Sequence, residues 1–369
     1  MSTTDALEGH ALDSSLREGW TLPARWYGDP AVLELEHDRI FARSWQYAGR
    51  VAQLDAPGSF FAARAGHVPV VVVRDRDGGI RGFVNVCRHR GHLVASGEGC
   101  RATLQCPYHA WTYDLDGRLL RAPRSEREPG FDPDAFALLP IAVGTWGPWV
   151  FVNPDPDAAP LSELLDGVTE LVEASGVGLD TLRFSRRVEW EMPANWKNAL
   201  ENYLECYHCA VAHPGLAKVV DVDVESYSLV QRPLSSSQFA AVREGVREGT
   251  VAAPYRAIGS VEGAQYHYLW PNTTINIEPG PPNLSMDVTI PSGTGTTIGF
   301  TDYYFGPDVT EAEAEEVLAF SQQVAAEDQS LVENVQAGLD SRMVPQGRLL
   351  LSSERLIAHF QRLVFDALS

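Results

Sequence analysis

Residues 86–92 read VCRHRGH and residues 106–111 read CPYHAW, and these two short stretches decide how the N-terminal half of the chain folds. Each stretch places a cysteine close to a histidine within a single tight turn, and His92 at the end of the first stretch lies outside the pattern. The pattern is C-x-H-x16-C-x2-H, with the candidate ligands Cys87, His89, Cys106 and His109. Two thiolates and two imidazoles can bind a tetrahedral zinc ion, or they can hold a [2Fe–2S] cluster with one iron on the cysteines and the other on the histidines.

The spacing of the four candidate ligands favours the cluster over zinc. Zinc sites usually place like ligands together, as C-x2-C and H-x3-H, whereas here each turn supplies one ligand of each kind. Such alternation suits two irons side by side. Gly91 and Pro107 fit tight loops whose backbone N–H groups can point at the bridging sulfides. Cys100 lies in the spacer, outside the pattern, and we interpret it as a packed or surface thiol.

Around this pattern, residues 47–155 consist of short runs of β-branched and aromatic residues separated by Gly, Pro and Asp. The pairs Asp77-Gly78 and Asp116-Gly117 lie between apolar runs and are typical of hairpin turns. We therefore predict a small antiparallel β domain.

The rest of the chain mixes helices with strands. Periodic apolar residues predict an amphipathic helix over 30–45, and prolines in residues 152–160 indicate a domain boundary. These patterns predict an α+β fold, with antiparallel sheet and long helices in the C-terminal half. Further strands are predicted at 183–192 and about 265–305, and helices at 195–212 and 311–339.

A second group of possible metal ligands lies in the segment NWKNALENYLECYHCAVAHP. On one continuous helix, Glu201, Glu205 and His208 would share a face, because they are four and three residues apart. His213 would point about 140° away from His208 on an ideal helix. Pro214 disfavours helical geometry at His213, so the chain can turn this imidazole back toward the same centre.

The third ligand is expected to be a carboxylate distant in sequence. The predicted helix over 311–339 has an apolar stripe, and Asp328 falls in the middle of it. A carboxylate on a buried stripe is costly unless it is paired or metal-bound. Glu327 and Glu333 would point to other faces, and we interpret them as solvated. The stripe consists of Val317, Val324, Leu331, Val335 and Leu339.

His208, His213 and Asp328 would then form a facial triad of two histidines and one carboxylate, which leaves open positions on Fe(II) for dioxygen. An H-x4-H pair alone is weak evidence for a metal, and its coexistence with the first pattern strengthens it. The neighbouring Cys206 and Cys209 form a C-x2-C pair without a second pair to meet. We interpret them as packing residues rather than as a metal or redox site.

Composition limits the possible partners. The formal net charge of −20 argues against binding to nucleic acid, because neutralising phosphates requires clustered Lys and Arg. No apolar run approaches the ~20 residues that span a bilayer. Residues 1–20 have neither the basic nor the apolar segment of a secretory signal, so we expect a cytoplasmic protein without a membrane segment. In such a protein the five cysteines do not indicate a disulfide framework.

Both metal patterns resemble those of a known family. The first, with Arg88, Tyr108 and Trp111 beside the ligands, resembles the Rieske [2Fe–2S] signature. The second, N-W-K-x3-E-N-Y-x-E-x-Y-H-x4-H-P from Asn195 to Pro214, resembles the catalytic-iron motif of the large (alpha) subunits of Rieske non-heme iron oxygenases. The resemblance covers nearly the whole chain in the right order. It implies an N-terminal helical segment packing on the catalytic domain over 1–46, a Rieske domain over 47–157 and a catalytic mononuclear iron domain over 158–369.

The resemblance implies a [2Fe–2S] cluster, a mononuclear Fe(II) and an electron relay. A separate NAD(P)H-dependent reductase with flavin and iron–sulfur centres would reduce the cluster, since this chain has no G-x-G-x-x-G nucleotide fingerprint after a strand. The cluster would feed the iron, which uses O2 to oxidise a small-molecule substrate. The family also implies a homotrimer in which the cluster of one subunit serves the iron of its neighbour.

Glu205 stands where ring-hydroxylating members of the family carry an Asp that bridges the two metal centres, and the resemblance implies that catalytic role for Glu205. The string E-N-Y-x-E-C-Y-H-C resembles the branch that oxidises carnitine, glycine betaine and related quaternary ammonium compounds. It implies hydroxylation or oxidative N-demethylation of a small quaternary or tertiary ammonium compound. Two alternatives stay open, namely the large subunit of an aromatic ring-hydroxylating dioxygenase and an electron-transfer module with a vestigial second domain.

Aromatic residues in the C-terminal half could surround such a cation. Residues 266–270, YHYLW, alternate within a predicted strand, so that every second aromatic side chain would share one face. That face either lines a pocket or packs against a helix. The predicted substrate residues are Tyr203, Tyr266, Tyr268 and Trp270.

Overall fold

The computed structural model describes residues 9–369. The part of the predicted N-terminal segment in residues 1–8 lies outside the described residues. The chain forms two compact units. The first comprises the described residues up to Glu36 together with Leu164–Ser369, and the second comprises His37–Glu163. Within the described range, no helix is both long and apolar enough to cross a membrane.

The second unit is an antiparallel β structure, as predicted. Its strands are β1 (Gln46–Arg50), β2 (Ser59–Ala65), β3 (Val68–Arg74), β4 (Ile80–Val84), β5 (Glu98–Cys100), β6 (Leu104–Gln105), β7 (Thr112–Tyr113), β8 (Leu119–Arg121), β9 (Pro140–Trp146) and β10 (Trp149–Asn153). One sheet has the order β1-β10-β9-β4-β3-β2-β5, and a small one has the order β6-β7-β8. Both predicted Asp-Gly hairpins are confirmed, between β3 and β4 and between β7 and β8. Gly78 and Gly117 have φ of +86° and +89°, which glycine adopts without steric cost.

The first unit contains the larger part of the chain, built around a second antiparallel sheet. Its strands are β11 (Arg183–Met192), β12 (Ser228–Gln231), β13 (Ser235–Ala241), β14 (Gly263–Leu269), β15 (Thr273–Ile277), β16 (Asn283–Gly293) and β17 (Thr296–Phe305). Their order is β11-β17-β16-β15-β14-β13-β12. The predicted strands and the α+β fold class are confirmed. In the register of β15 and β16, Thr274 pairs with Asp287 and Asn276 with Ser285, so these polar residues share one face of the sheet.

The helices complete the fold. They are α1 (Gly9–Arg17), α2 (Pro30–Arg39), α3 (Leu161–Leu164), α4 (Val168–Ala174), α5 (Trp196–Tyr203), α6 (Cys209–Ala212), α7 (Leu216–Val219), α8 (Glu311–Asp340) and α9 (Arg355–Leu368). Short 3₁₀ helices cover Ala24–Tyr27, Phe41–Arg43, Val51–Leu54, Ser125–Arg127, Pro133–Phe136 and Leu179–Thr181. The prediction of a long C-terminal helix is confirmed by α8, which begins with a capping box of Thr310 and Glu313. The helix predicted over 30–45 is shorter, since α2 ends at Arg39.

The prediction of one helix over 195–212 is wrong, because the chain leaves helical geometry between α5 and α6. The Glu205 carboxylate accepts hydrogen bonds from the backbone N–H groups of Tyr207 and His208. Because these two N–H groups bond to a side chain, they do not need the backbone hydrogen bonds that a continuous helix would provide. The interruption lets Glu205 and His208 take positions that a continuous helix would not give them.

The apolar stripe predicted for α8 is also wrong in its C-terminal half. Leu331 and Val335 are 39% and 50% exposed, whereas Val332 and Gln336 are buried. The buried face is set by a polar contact with the start of α5. There the Gln336 side-chain oxygen accepts hydrogen bonds from the Asn195 backbone N–H at 2.8 Å and from the Asn198 side chain at 2.9 Å.

Candidate metal centres

The first constellation lies in two loops of the second unit. One loop follows β4 and the other joins β6 to β7, and they carry Cys87 with His89 and Cys106 with His109. Each loop closes on itself through a backbone hydrogen bond that spans four residues, donated by Gly91 in one loop and Ala110 in the other, at 3.1 and 3.0 Å. Both of these residues have positive φ. The tight turns expected from the spacing are therefore present, and each presents one sulfur and one imidazole.

Within these loops the sulfurs lie inside and the imidazoles lie toward solvent. Cys87 and Cys106 are free thiols that are 2% and 1% exposed. The rings of His89 and His109 lie 4.6 Å apart between centroids, and His89 is exposed. The Tyr113 hydroxyl lies 3.3 Å from Cys87 Sγ. Two sulfur ligands beneath two nitrogen ligands fit a [2Fe–2S] cluster whose histidine-bound iron lies nearer the surface.

The second constellation brings together α8 and the two ends of α6. His208 precedes α6, His213 follows it, and Asp328 lies in the middle of α8. The two Nε2 atoms of the histidines lie 3.0 Å apart. Asp328 Oδ1 lies 3.0 Å from His213 Nε2 and 3.3 Å from His208 Nε2. One ligand atom from each residue lies within 4.8 Å of the other two, and two imidazoles with one carboxylate fit an Fe(II) ion with open positions.

A second carboxylate orients each imidazole of this triad. His208 Nδ1 donates to Glu205, and His213 Nδ1 donates to Glu327 at 2.8 Å. These contacts leave both Nε2 atoms to face Asp328, an arrangement common around metal-bound histidines. The interpretation of Glu327 as a solvated residue is wrong, because its carboxylate contacts His213 and Gln323. The sequence around Glu327 does not show that its carboxylate contacts His213, because that histidine is 114 residues away. The only indication was its position beside the predicted ligand Asp328.

The protonation states follow from the same contacts. Burial lowers the pKa of His208, but hydrogen bonds to Asp328 and Glu205 outweigh it and raise this pKa to about 9. Burial also lowers the pKa of His213, but its hydrogen bonds to Asp328 and Glu327, together with the charge of Asp328, outweigh burial and raise this pKa. Burial alone would raise the pKa of Asp328, yet the bonds from both histidines lower it. The site thus attracts positive charge, as a cation site should.

Glu201 does not join this group, although a continuous helix would have placed it on the same face. Its carboxylate is buried elsewhere, where it accepts a hydrogen bond from the Tyr27 hydroxyl at 2.6 Å and one from the Gln361 side chain at 2.9 Å. Burial raises the pKa of Glu201 to about 7. The break after α5 is the physical reason, because it separates Glu201 from Glu205 and His208.

A cavity of about 380 Å³ reaches the triad, whose three residues form part of its lining. One wall is a face of the large sheet, and the other comes from α5 and α8. Because side chains alternate along a strand, every second residue of β15 and β16 faces the cavity. These residues are Thr274, Asn276 and Glu278 from one strand and its end, and Ser285, Asp287 and Thr289 from the other.

Two of the four predicted substrate residues are not brought to this cavity. Tyr268 and Trp270 pack against Phe360 of α9, with ring centroids 5.8 and 6.2 Å apart. The Tyr268 hydroxyl donates to the Pro271 carbonyl at 2.8 Å. Their prediction as substrate residues is corrected here, since α9 covers this end of β14 and makes both side chains part of the core.

Tyr203 and Tyr266 do line the cavity, and two tyrosines that the sequence did not single out, Tyr227 and Tyr303, join them. Tyr303 lies within a predicted strand, but alternation does not tell which face meets the cavity. Tyr227 lies in a loop and gave no signal. The cavity thus has four phenol rings in its lining.

Cys206 and Cys209 form a disulfide, with one cysteine on either side of His208. The interpretation of these residues as plain packing residues is therefore incomplete. Both are buried within a hydrophobic core cluster, so they also pack. Cys100 is exposed, in agreement with its interpretation as a packed or surface thiol.

Comparison with known proteins agrees with both constellations. Residues 44–140 match the family model of the Rieske [2Fe-2S] domain, and residues 179–369 match that of the ring hydroxylating alpha subunit (catalytic domain). The chain is 35% identical over 362 residues to the carnitine monooxygenase oxygenase subunit of Escherichia coli (strain K12), with 94% of each chain covered.

Two further relatives extend the comparison. The chain is 30% identical over 361 residues to the chloroplastic choline monooxygenase of Amaranthus tricolor, covering 95% of this chain and 79% of that protein. It superposes on the crystal structure of the quaternary ammonium Rieske monooxygenase CntA in complex with L-carnitine with a TM-score of 0.82 and 30% identity, covering 96% and 97% of the two chains. The chain therefore belongs to the Rieske non-heme iron oxygenases, as an oxygenase subunit whose cofactors are a [2Fe–2S] cluster and a mononuclear iron.

Proposed function

We propose that this oxygenase hydroxylates or oxidatively N-demethylates a small quaternary or tertiary ammonium compound. The observation that carries the proposal is the cavity beside the triad, with the rings of Tyr203, Tyr227, Tyr266 and Tyr303 in its lining. Aromatic faces attract cations, by about 0.5–2 kcal/mol for each contact. The activities named for the carnitine and choline monooxygenases support the same substrate class.

The residues of the two constellations have distinct roles in this proposal. Cys87, His89, Cys106 and His109 hold the cluster, and His208, His213 and Asp328 hold the iron. The bound iron would supply the activation of O2 next to the substrate. Glu205 and Glu327 keep the two iron-binding imidazoles oriented, and the tyrosines hold the ammonium group in the cavity.

An oxygenase subunit of this family requires an electron donor and a small-molecule substrate. We propose that the donor is a separate NAD(P)H-dependent reductase with flavin and iron–sulfur centres. We also propose that the chain works in the cytoplasm as a homotrimer, in which Glu205 links the cluster of one subunit to the iron of the next. A closed head-to-tail ring of this kind uses the same interface three times.

The substrate class is tested by product formation. Holoenzyme is supplied with a competent reductase, NADH and O2, and is offered carnitine, glycine betaine, proline betaine and choline beside naphthalene, benzoate and biphenyl. We expect an oxidised product, with formaldehyde where a methyl group is lost, from at least one ammonium compound and from no arene. Product is measured rather than NADH loss, because uncoupled turnover also consumes NADH.

Metal analysis of the same sample is the control. Roughly three irons and two sulfides per chain are expected for a cluster and a catalytic iron. Two irons alone would favour the electron-transfer module. Product from an arene and from no ammonium compound would instead move the protein to the ring-hydroxylating dioxygenases.

A further inference from the structure

The charge of the cavity narrows the substrate class further. The cavity lining contains Asp328 of the triad and Glu205, which contacts His208. It also contains two more acidic residues, Glu278 and Asp287. Within residues 9–369, the lining includes no lysine and no arginine. Its basic side chains are His208 and His213, which belong to the iron site. The cavity is therefore acidic along the part of its wall that lies outside the metal ligands.

Glu278 is a buried carboxylate with few hydrogen-bond partners. Its residue is 7% exposed, and in the part of the chain that the structure describes its side chain accepts one hydrogen bond, from the Tyr266 hydroxyl at 3.2 Å. Burial raises its pKa to about 7, and a bound cation would favour the charged form and lower this pKa again. A buried charge is costly unless it is paired.

The surroundings of Glu278 suit a bulky cation rather than a protein side chain. Burial, followed by the charge of Glu278, raises the pKa values of Tyr227 and Tyr266, so both phenols stay neutral. Both rings line the same cavity. A carboxylate beside neutral aromatic rings can pair with an ammonium group whose methyl groups contact the ring faces.

Asp287 adds a second acidic group, and the described lining of the cavity contains no lysine or arginine to pair with it. Its carboxylate accepts hydrogen bonds from three neutral side chains, namely Asn276 at 2.7 Å, Thr274 at 3.4 Å and Thr301. Burial raises its pKa to about 6. These donors stabilise the ionised form without changing its charge. Outside the iron site, a carboxylate entering the cavity would therefore meet these acidic groups and no lysine or arginine of the described lining.

We propose that the substrate is an ammonium compound whose remaining groups carry no negative charge, such as an amino alcohol, an ester or an amide, and that Glu278 pairs with its ammonium group. Zwitterions such as carnitine and glycine betaine are disfavoured, because their carboxylate would be desolvated beside Glu278 and Asp287, and outside the iron site the described lining offers it no lysine or arginine. This inference rests on the proposed function, the oxidation of ammonium compounds. It adds that the rest of the substrate carries no negative charge.

The test compares pairs of ligands that share the trimethylammonium group and differ mainly in whether a carboxylate is present. Calorimetric titration of the anaerobic holoenzyme at about pH 8, above the pKa of Glu278 near 7, uses choline against glycine betaine and carnitine methyl ester against carnitine. We expect the member without a carboxylate to bind at least tenfold more tightly in both pairs. Equal or tighter binding of the zwitterions overturns this inference and leaves the proposed function standing. Binding of naphthalene with no ammonium compound bound overturns both.

A charge-neutral variant tests the assignment to Glu278. Glu278→Gln keeps the size of the side chain, and we expect choline to bind at least tenfold more weakly while glycine betaine loses less. Glu262→Gln makes the same charge change on an exposed side chain outside the cavity lining and should leave both affinities unchanged. Iron and sulfide contents equal to the parent show that the variants are folded. Choline affinity equal to the parent in Glu278→Gln would remove Glu278 from the proposal.

Discussion

Glu205 and Glu327 make the same kind of contact with the triad, but we propose a further role for Glu205. Each accepts a hydrogen bond from the Nδ1 of one triad histidine, so both orient a metal ligand. In our proposal, Glu205 alone also links the cluster of one subunit to the iron of another. Replacing each glutamate by glutamine removes the negative charge while the amide oxygen can still accept the Nδ1 hydrogen bond. Each replacement also puts an NH2 group where the second oxygen accepted other hydrogen bonds, from the Tyr207 and His208 backbone at Glu205 and from Gln323 at Glu327, so the two variants are matched in this respect.

We predict that Glu205→Gln retains both metals but slows single-turnover oxidation of the reduced cluster by about tenfold or more, the range typical of changes around metal ligands. Glu327→Gln is the matched control and should oxidise its cluster at the parent rate. Stopped-flow absorbance of the cluster measures both variants. If the two variants slow oxidation equally, Glu205 does no more than orient His208.

At the scale of elements, a buried ion pair joins α2 to α5. Lys197 Nζ lies 2.5 Å from Glu36 Oε1, and the two side chains are 0% and 1% exposed. The Trp196 indole N–H donates to the other oxygen of Glu36 at 2.8 Å. Each of the two buried charges is therefore neutralised by the other, and either one alone would be costly to bury.

We predict that Lys197→Met destabilises the protein by about 3–5 kcal/mol, because Glu36 is left buried without its partner. Urea unfolding followed by tryptophan fluorescence measures the loss. Lys218 is the other lysine of the chain and is exposed, so Lys218→Met should change stability by no more than about 0.5 kcal/mol. Adding Glu36→Gln to Lys197→Met should recover part of the loss. If Lys197→Met lowers the free energy of unfolding by less than about 1 kcal/mol, the ion pair does not stabilise the packing of α2 against α5.

At the scale of the whole molecule, the two metal constellations lie in different units of the chain, one within residues 37–163 and the other within residues 164–369. A variant can therefore lose one centre and keep the other. Asp328→Ala should remove the catalytic iron and leave the cluster, and Cys106→Ser should do the reverse. Each variant alone is expected to be inactive.

We predict that co-expression of these two variants restores activity if electrons cross between subunits. In a randomly mixed closed ring, about a quarter of the cluster and iron pairs would be intact, so activity should approach about a quarter of the parent. Mixing the two separately purified variants without subunit exchange is the control and should give no activity. Absence of activity in co-expressed oligomers of verified mixed composition would place electron transfer within a single chain.

The sequence by itself determined those features that depend on a few neighbouring residues. Each of the two tight turns is closed by its own backbone hydrogen bond, so its geometry depends on neighbouring residues. The alternation of Cys and His that indicates a cluster is therefore visible in the sequence. The Asp-Gly hairpins depend on the φ values of Gly78 and Gly117, which are local properties. The turn of His213 toward His208 depends on Pro214 beside it.

Only the tertiary structure decided which side chains meet across elements. Tyr266 and Tyr268 share a strand and a face, yet one lines the cavity and the other contacts α9, because a helix covers part of the sheet. Glu327 contacts His213, which is 114 residues away in sequence. Periodicity tells which residues share a face, but burial and charge pairing depend on what packs against that face, and this is set by contacts between residues distant in sequence.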